Sequence, residues 1–194
     1  MNLMQCSLLL SSNFSEDPLF RYAFTGTTAQ RYRGMEAYFS AALDYCLEFG
    51  ELTMAPGNSA LLAWIPGTAF PAHIDDNRIS SQPPYVGEAW RKFNLHEETP
   101  ENIIDKNARN FGYLWILAVD FSVRERGLAS QLLYSCFDQM REAGLDECWL
   151  STENESNISF YTKKGFVLVA SAIAKSGLKT FVFKKELNLP ASLQ

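Results

Sequence analysis

No run of apolar residues in this 194-residue chain is long enough to span a bilayer, and no basic block stands anywhere along it. The first absence excludes a membrane-spanning helix, which needs about 20 consecutive apolar residues. The second, with a formal net charge of −5, argues against a nucleic-acid partner. Lys163-Lys164 and Lys184-Lys185 are only pairs and read as solvated surface. Cysteine is scarce: Cys6, Cys46, Cys136 and Cys148 form no CxxC pair and no metal-ligand spacing. Cys46 and Cys136 fall on apolar helix faces, so reduced core thiols and a cytoplasmic location are expected. Met1–Ser12 has no basic n-region, and no export signal is expected there. His73 beside Asp75 and Asp76 lacks a third ligand at a recognisable spacing, so no metal is expected. Neither GxGxxG nor GK[ST] occurs, which excludes the Rossmann fingerprint and the Walker loop.

What is present suits one domain with a sizeable core, 47% of the residues being hydrophobic and 20% charged. Leu8–Leu10 reads either as a short first strand or as a buried anchor. Ser15 reads as the N-cap of a helix over about Glu16–Phe24, with Phe14 and Leu19 as a hydrophobic staple. Thr27 or Thr28 opens a long helix to Phe49, whose buried face carries Met35, Phe39, Ala42, Cys46 and Phe49, with Gly50 as its stop. Glu51–Met54 and Ser59–Ile65 read as a hairpin around Pro56-Gly57-Asn58. Residues 68–111 turn polar and proline-rich, and read as a substrate-side insertion with short helices at Val86–Phe93 and Pro100–Asn107. Later come a strand at Tyr113–Val119, a helix over Gly127–Ala143, a strand at Cys148–Thr152, a short helix from Asn157 and two last strands. The order predicts an α/β fold: a mixed sheet with helices on both faces, in a single domain over 1–194.

Tyr113–Leu133 is the stretch with the most chemistry. A buried strand runs into a basic turn, then a glycine, then a helix whose first N–H groups lack partners. Such a turn suits a phosphorylated ligand, because those N–H groups and the positive end of the helix dipole face the anion. Here the turn reads Arg124-Glu125-Arg126-Gly127-Leu128-Ala129.

Arg124, Gly127 and Ala129, led by Leu117-Ala118-Val119, resemble the [RQ]-x-x-G-x-[GA] acetyl-CoA loop of the GNAT superfamily, the Gcn5-related N-acetyltransferases. Leu150–Phe166, LSTENESNISFYTKKGF, resembles a second motif of that family, L-E-T-x-N-x-x-N-x-x-F-Y-x-x-x-G-F. Asp17–Tyr22 and Ala63–Pro66 are similar to a branch that includes puromycin N-acetyltransferase-like proteins. The resemblance implies the acyl-CoA N-acyltransferase fold: a mostly antiparallel sheet splayed between its fourth and fifth strands. It implies acetyl-CoA as co-substrate, with the pyrophosphate on Arg124, Glu125, Arg126, Gly127, Leu128, Ala129 and Ser130. The pantetheine arm would lie along Leu117, Ala118 and Val119, and Asn157 would hydrogen-bond it. Tyr161, four residues on, is placed by the resemblance beside the thioester sulfur as general acid, and Trp115 lines the acceptor side.

Two departures from the pattern matter. Ser151 stands where the family has the glutamate of L-E-T, which removes a base from that position, and Asp120-Phe121 replaces the usual proline. Glu88, Glu153, Glu155, His73 and His96 are the alternative bases. The expected partner is a small-molecule amine or a peptide, with the chain a monomer or homodimer. A GNAT-fold protein that binds CoA without transfer, as a sensor or scaffold, is the rival reading.

Overall fold

The computed structural model describes residues 3–72 and 82–187. Its N-terminus settles the alternatives at Leu8–Leu10 in favour of neither strand nor simple anchor. Leu3–Phe14 is a helix, α1, and it buries Cys6 and Leu10, four residues apart, with Ser7 and Ser11 alongside. Leu8 faces out. A polar pair of serines on the buried side hid this helix from an apolar count, and Ser7 satisfies its hydroxyl on the Leu3 carbonyl.

Asp17, rather than Ser15, caps the next helix, α2 (Pro18–Ala23), accepting a hydrogen bond from the Leu19 N–H at 3.0 Å. Ser15 instead donates to the Ser12 carbonyl. The long helix α3 (Thr28–Phe49) opens on a full capping box between Thr27 and Gln30. Gly50 ends it, though not as a left-handed stop: its φ is −144°. A Cβ there would lie 2.1 Å from the Trp64 carbonyl oxygen. The glycine is needed because the chain turns hard against the neighbouring strand.

β1 (Glu51–Met54) and β2 (Ala60–Pro66) form the expected antiparallel hairpin. One continuous helix, α4 (Pro84–Asn107), then replaces the two short ones expected, with Pro100 inside it. Proline normally ends a helix. Here the buried stripe Val86, Ala89, Trp90, Phe93, His96, Pro100 and Ile104 runs straight through, so packing overrides the local breaker. This half of residues 68–111 is thus built into the core, while the stretch holding His73, Asp75 and Asp76 lies outside the described residues.

β3 (Phe111–Val119), α5 (Leu128–Glu142), β4 (Glu147–Thr152), α6 (Asn157–Lys163), β5 (Val167–Ile173) and β6 (Lys179–Glu186) complete the chain. Among the described residues the six strands lie in the order β1-β2-β3-β4-β6-β5. β3 and β4 are parallel and the other neighbouring pairs antiparallel. One sheet face packs on α1 to α4, the other on α5 and α6.

Two features of β3 place the site. A bulge leaves Trp115 without a partner on β2, so Trp115 and Ile116 both turn toward the α1–α4 face. β3 also pairs with β4 over Phe111–Tyr113 and Glu147–Trp149 only. Beyond Tyr113 the two strands part, giving the splayed sheet expected.

Candidate active site

The polar turn after β3 is held by its own side chains. Asp120 accepts from the Ser122 N–H at 2.8 Å, and bonds from Ser122 hold its carboxyl below the usual carboxylate range. Glu125 and Gly127 both take positive φ, 66° and 79°. Left-handed residues in such a turn curl backbone N–H groups into one concavity, which suits an anion. Gly127 is also the N-cap of α5 and offers no side chain there, so the first turn of that helix is open to a ligand.

A groove of about 760 Å³ runs from this turn into the gap between β3 and β4. Leu117, Ala118 and Val119 form its strand wall, and Arg124, Glu125, Gly127, Leu128, Ala129 and Ser130 its turn end. Asn157 and Tyr161 close the far side. Arg126 does not line it and is exposed. Arg124 stacks its guanidinium 3.8 Å above the Phe121 ring and donates to Asn13 Oδ1 at 2.9 Å, so α1 supports the turn. Sequence spacing gave no sign of that contact, which joins residues more than a hundred positions apart.

Asn157 is the first helical residue of α6 rather than its cap, which is Ser156. Its amide donates to Thr152 Oγ1 at 3.0 Å, fixing α6 to the end of β4. Tyr161 packs its ring edge-on to Phe160 and Phe166 and beside Phe183. Burial first, then the neighbouring Cys148, pushes its phenol well up, so it stays protonated across physiological pH.

A chamber of about 100 Å³ lies beyond the groove and shares Phe14, Asp17, Leu117, Asn157 and Tyr161 with it. A further pocket of about 30 Å³ shares Tyr38, Phe93, Glu97, Tyr113 and Trp115 with the chamber. The three spaces adjoin along these shared walls. Carboxylates gather there: Asp17, Glu97 and Glu153 line the chamber, Glu97 and Glu101 the inner pocket. Asp17 is pushed up to about 6 by burial and by Glu153, against the bonds of its capped N–H groups. Glu97 is raised well above the ordinary range by burial, then by Glu153, Glu101 and Asp17.

The candidate bases separate clearly. Glu88 pairs with Lys92, and Glu155 with Lys179, each half or more exposed and neither on the groove. His96 is fully buried and lines none of these three spaces. Its Nδ1 meets Ser176 Oγ at 2.7 Å and its Nε2 meets Glu153 Oε1 at 3.0 Å. His96, Glu97 and Glu153 offer ligand atoms within 4.8 Å of one another, but both histidine nitrogens are already engaged. Ser151 receives or gives a hydrogen bond with the Tyr113 hydroxyl at 2.9 Å. Glu97 and Asp17 were not foreseen. The apolar stripe of α4, continued four residues past Phe93, is the signal that points to this part of the helix.

A sequence model of the acetyltransferase (GNAT) family matches residues 88–166, less than half the chain but all of β3, the turn, α5, β4 and α6. By structure, a GNAT-family protein from Desulfovibrio desulfuricans matches over 95% of this chain and 94% of its own, at a TM-score of 0.53 and 15% identity. The chain has the fold of the GNAT acyltransferases. Arylalkylamine N-acetyltransferase 2 from Aedes aegypti is similar over 94% of both chains, with a TM-score of 0.57 and 13% identity. The C-terminal condensation domain of Ebony, in complex with beta-alanyl-dopamine, is similar over 96% of both, with a TM-score of 0.71 and 9% identity. At these identities the likeness is one of GNAT fold. The chain spans only 66% of a NatC-complex chain and 58% of a protein from Agrobacterium tumefaciens, at TM-scores of 0.43 and 0.37. No curated protein matches it significantly by sequence.

Proposed function

We propose that the chain is an acetyl-CoA-dependent N-acetyltransferase, carrying the acetyl group to a small-molecule amine or peptide acceptor by direct attack. One observation carries the reading: the groove from the open helix turn adjoins an acidic chamber, the two sharing Leu117, Asn157 and Tyr161 as walls. A donor and an acceptor could therefore meet end to end. Support also comes from the family match over residues 88–166.

In this reading the pyrophosphate lies on the N–H groups of Gly127 to Ser130, with Arg124 beside it. The pantetheine amides pair with the edge of Leu117–Val119 that β4 leaves free. The Asp120 N–H is spent on the Ser59 carbonyl of the hairpin side. Alternation along a strand therefore turns the Val119 N–H into the gap, where it can hold the oxyanion of the tetrahedral intermediate. The amine nitrogen attacks the thioester carbonyl, a C–N bond forms and the C–S bond breaks. Tyr161 gives its proton to the departing thiolate and regains one from solvent. Its phenol is a weak acid in this apolar setting, but the same setting raises the proton affinity of the thiolate.

The reading includes a cytoplasmic location, which four buried free thiols support, and a monomer or homodimer. The segments 17–22 and 63–66 keep the puromycin N-acetyltransferase-like branch as the finer assignment, and 68–111 as the substrate side of a single domain.

A thiol-release assay with acetyl-CoA and a panel of amines, beside calorimetry of acetyl-CoA binding, tests the reading. Amine-dependent release of CoASH is expected. Tight binding without release for any amine would instead make the protein a CoA-binding sensor or scaffold. A preference for longer acyl-CoA would change the donor and leave the mechanism.

A further inference from the structure

We propose that the chamber and inner pocket take a compact primary amine with an aromatic or flat apolar body, and that Glu97 removes the proton from its ammonium group. The proposal rests on the N-acetyltransferase reading above and names the acceptor class and a base for it.

The walls argue for the body. Tyr38, Phe70, Trp90, Phe93, Tyr113 and Trp115 surround the inner pocket. They already pack against one another at a tilt, with Tyr38 and Phe93 centroids at 4.5 Å and Phe70 and Tyr113 at 4.7 Å. A flat ring continues such packing, and aromatic faces also attract a cation. Among the described residues no lysine or arginine lines either space. A zwitterionic amino acid would set its carboxylate among Asp17, Glu97 and Glu153, an arrangement of like charges that a simple amine avoids.

Glu97 is singled out by its lack of commitments. Glu153 is engaged by His96 and by Thr180 Oγ1 at 3.0 Å. Asp17 caps α2. Among the described residues Glu97 has no hydrogen-bond donor and no cation, and it is the carboxylate common to both spaces. Facing it are Asp17 from the α2 cap, Tyr38 of α3, His96 and Glu101 of α4, Tyr113 of β3 and Glu153 after β4. All but His96 are acids. An ammonium ion is the partner this surrounding lacks, and its arrival would draw the proton off Glu97 and make it the base.

The step then balances. The carboxylate takes one proton from R–NH₃⁺ and passes it to solvent. The neutral amine attacks, its nitrogen loses a second proton, and sulfur gains one through Tyr161, leaving the amide, CoASH and one released proton.

Steady-state kinetics with acetyl-CoA and 2-phenylethylamine, spermidine, glycine and a short peptide tests both halves. Phenylethylamine is expected to have the highest kcat/KM, by about tenfold or more. Glu97→Gln should lower kcat by about a hundredfold, the low end of what a general base supplies. The affinity for acetyl-CoA should stay unchanged, and Glu97→Asp should recover part of the rate. The wild-type kcat/KM should rise with pH through two ionisations, and that of Glu97→Gln through the amine's alone. Full activity in a folded Glu97→Gln overturns the base assignment. Faster turnover of spermidine or peptide overturns the acceptor class. If acetyl-CoA binds but no amine is acetylated by the wild type, the N-acetyltransferase reading fails as well, a result distinct from either.

Discussion

Tyr161 carries one polar atom in a setting of phenylalanines, and that contrast makes its role testable. Removing the hydroxyl deletes no packing, since the ring remains against Phe160, Phe166 and Phe183. Tyr161→Phe should therefore lower kcat by about a hundredfold, the low end for a lost proton donor, with acetyl-CoA affinity nearly constant. Rapid-quench or steady-state assay beside calorimetry reads both numbers. A parallel loss of affinity would mean that the hydroxyl holds the cofactor and does no chemistry. The place of Tyr161 and Asn157 on the groove was legible in the sequence because they sit in a motif of fixed spacing. Glu97 was not. In His96-Glu97-Glu98-Thr99-Pro100 four polar residues and a proline read as surface and breaker, and only the long stripe from Val86 to Ile104 shows that the helix continues and turns Glu97 inward.

At the scale of elements, α4 is tied to the sheet by its histidine. His96 holds Glu153 after β4 and Ser176 in the β5–β6 turn, and neither contact could be read from separations of 57 and 80 residues. Removing the imidazole leaves the Glu153 carboxylate, which is only 9% exposed, with Thr180 as its remaining donor. His96→Ala should cost about 1–3 kcal/mol in chemical denaturation, as leaving a buried polar group short of a partner does. A second test lies at the joint between α3 and β1. Gly50→Ala would drive a Cβ into the Trp64 carbonyl and should destabilise by about 1–3 kcal/mol, the usual cost of overpacking. Tolerance of alanine there would show that the joint yields. The strands and α5 were predicted within a residue or two because their periods are clean. α1 was missed because two of its four buried positions are serine.

For the whole molecule, the carboxylates of the chamber set an unusual pH response. Asp17 has its proton affinity raised in the folded chain, from 3.8 to about 6. Folding thus favours the protonated form. The associated stability is full below about pH 4 and is lost as pH rises toward 6, by up to about 3 kcal/mol. Glu97 and Glu101 shift in the same direction, while Asp120 shifts the other way and loses stability as pH falls. Thermal melts of the ligand-free protein should therefore fall between pH 4 and pH 7. Asp17→Asn, which caps a helix as well as aspartate does, should flatten part of that slope and raise the melting temperature at pH 7. An unchanged slope would place the proton elsewhere.

The short seam between β3 and β4 has a consequence for handling the protein. Three residues from each strand join what are otherwise two half-sheets, β1 to β3 and β4 to β6. Past that seam the amides of Leu117 and Val119 have no strand to protect them. They should exchange with deuterium quickly in the empty protein and slowly once a pantetheine arm lies across them. In the proposed reading a donor bound there would act as a removable staple between the halves, and the melting temperature of a preparation would then measure how much donor it carries.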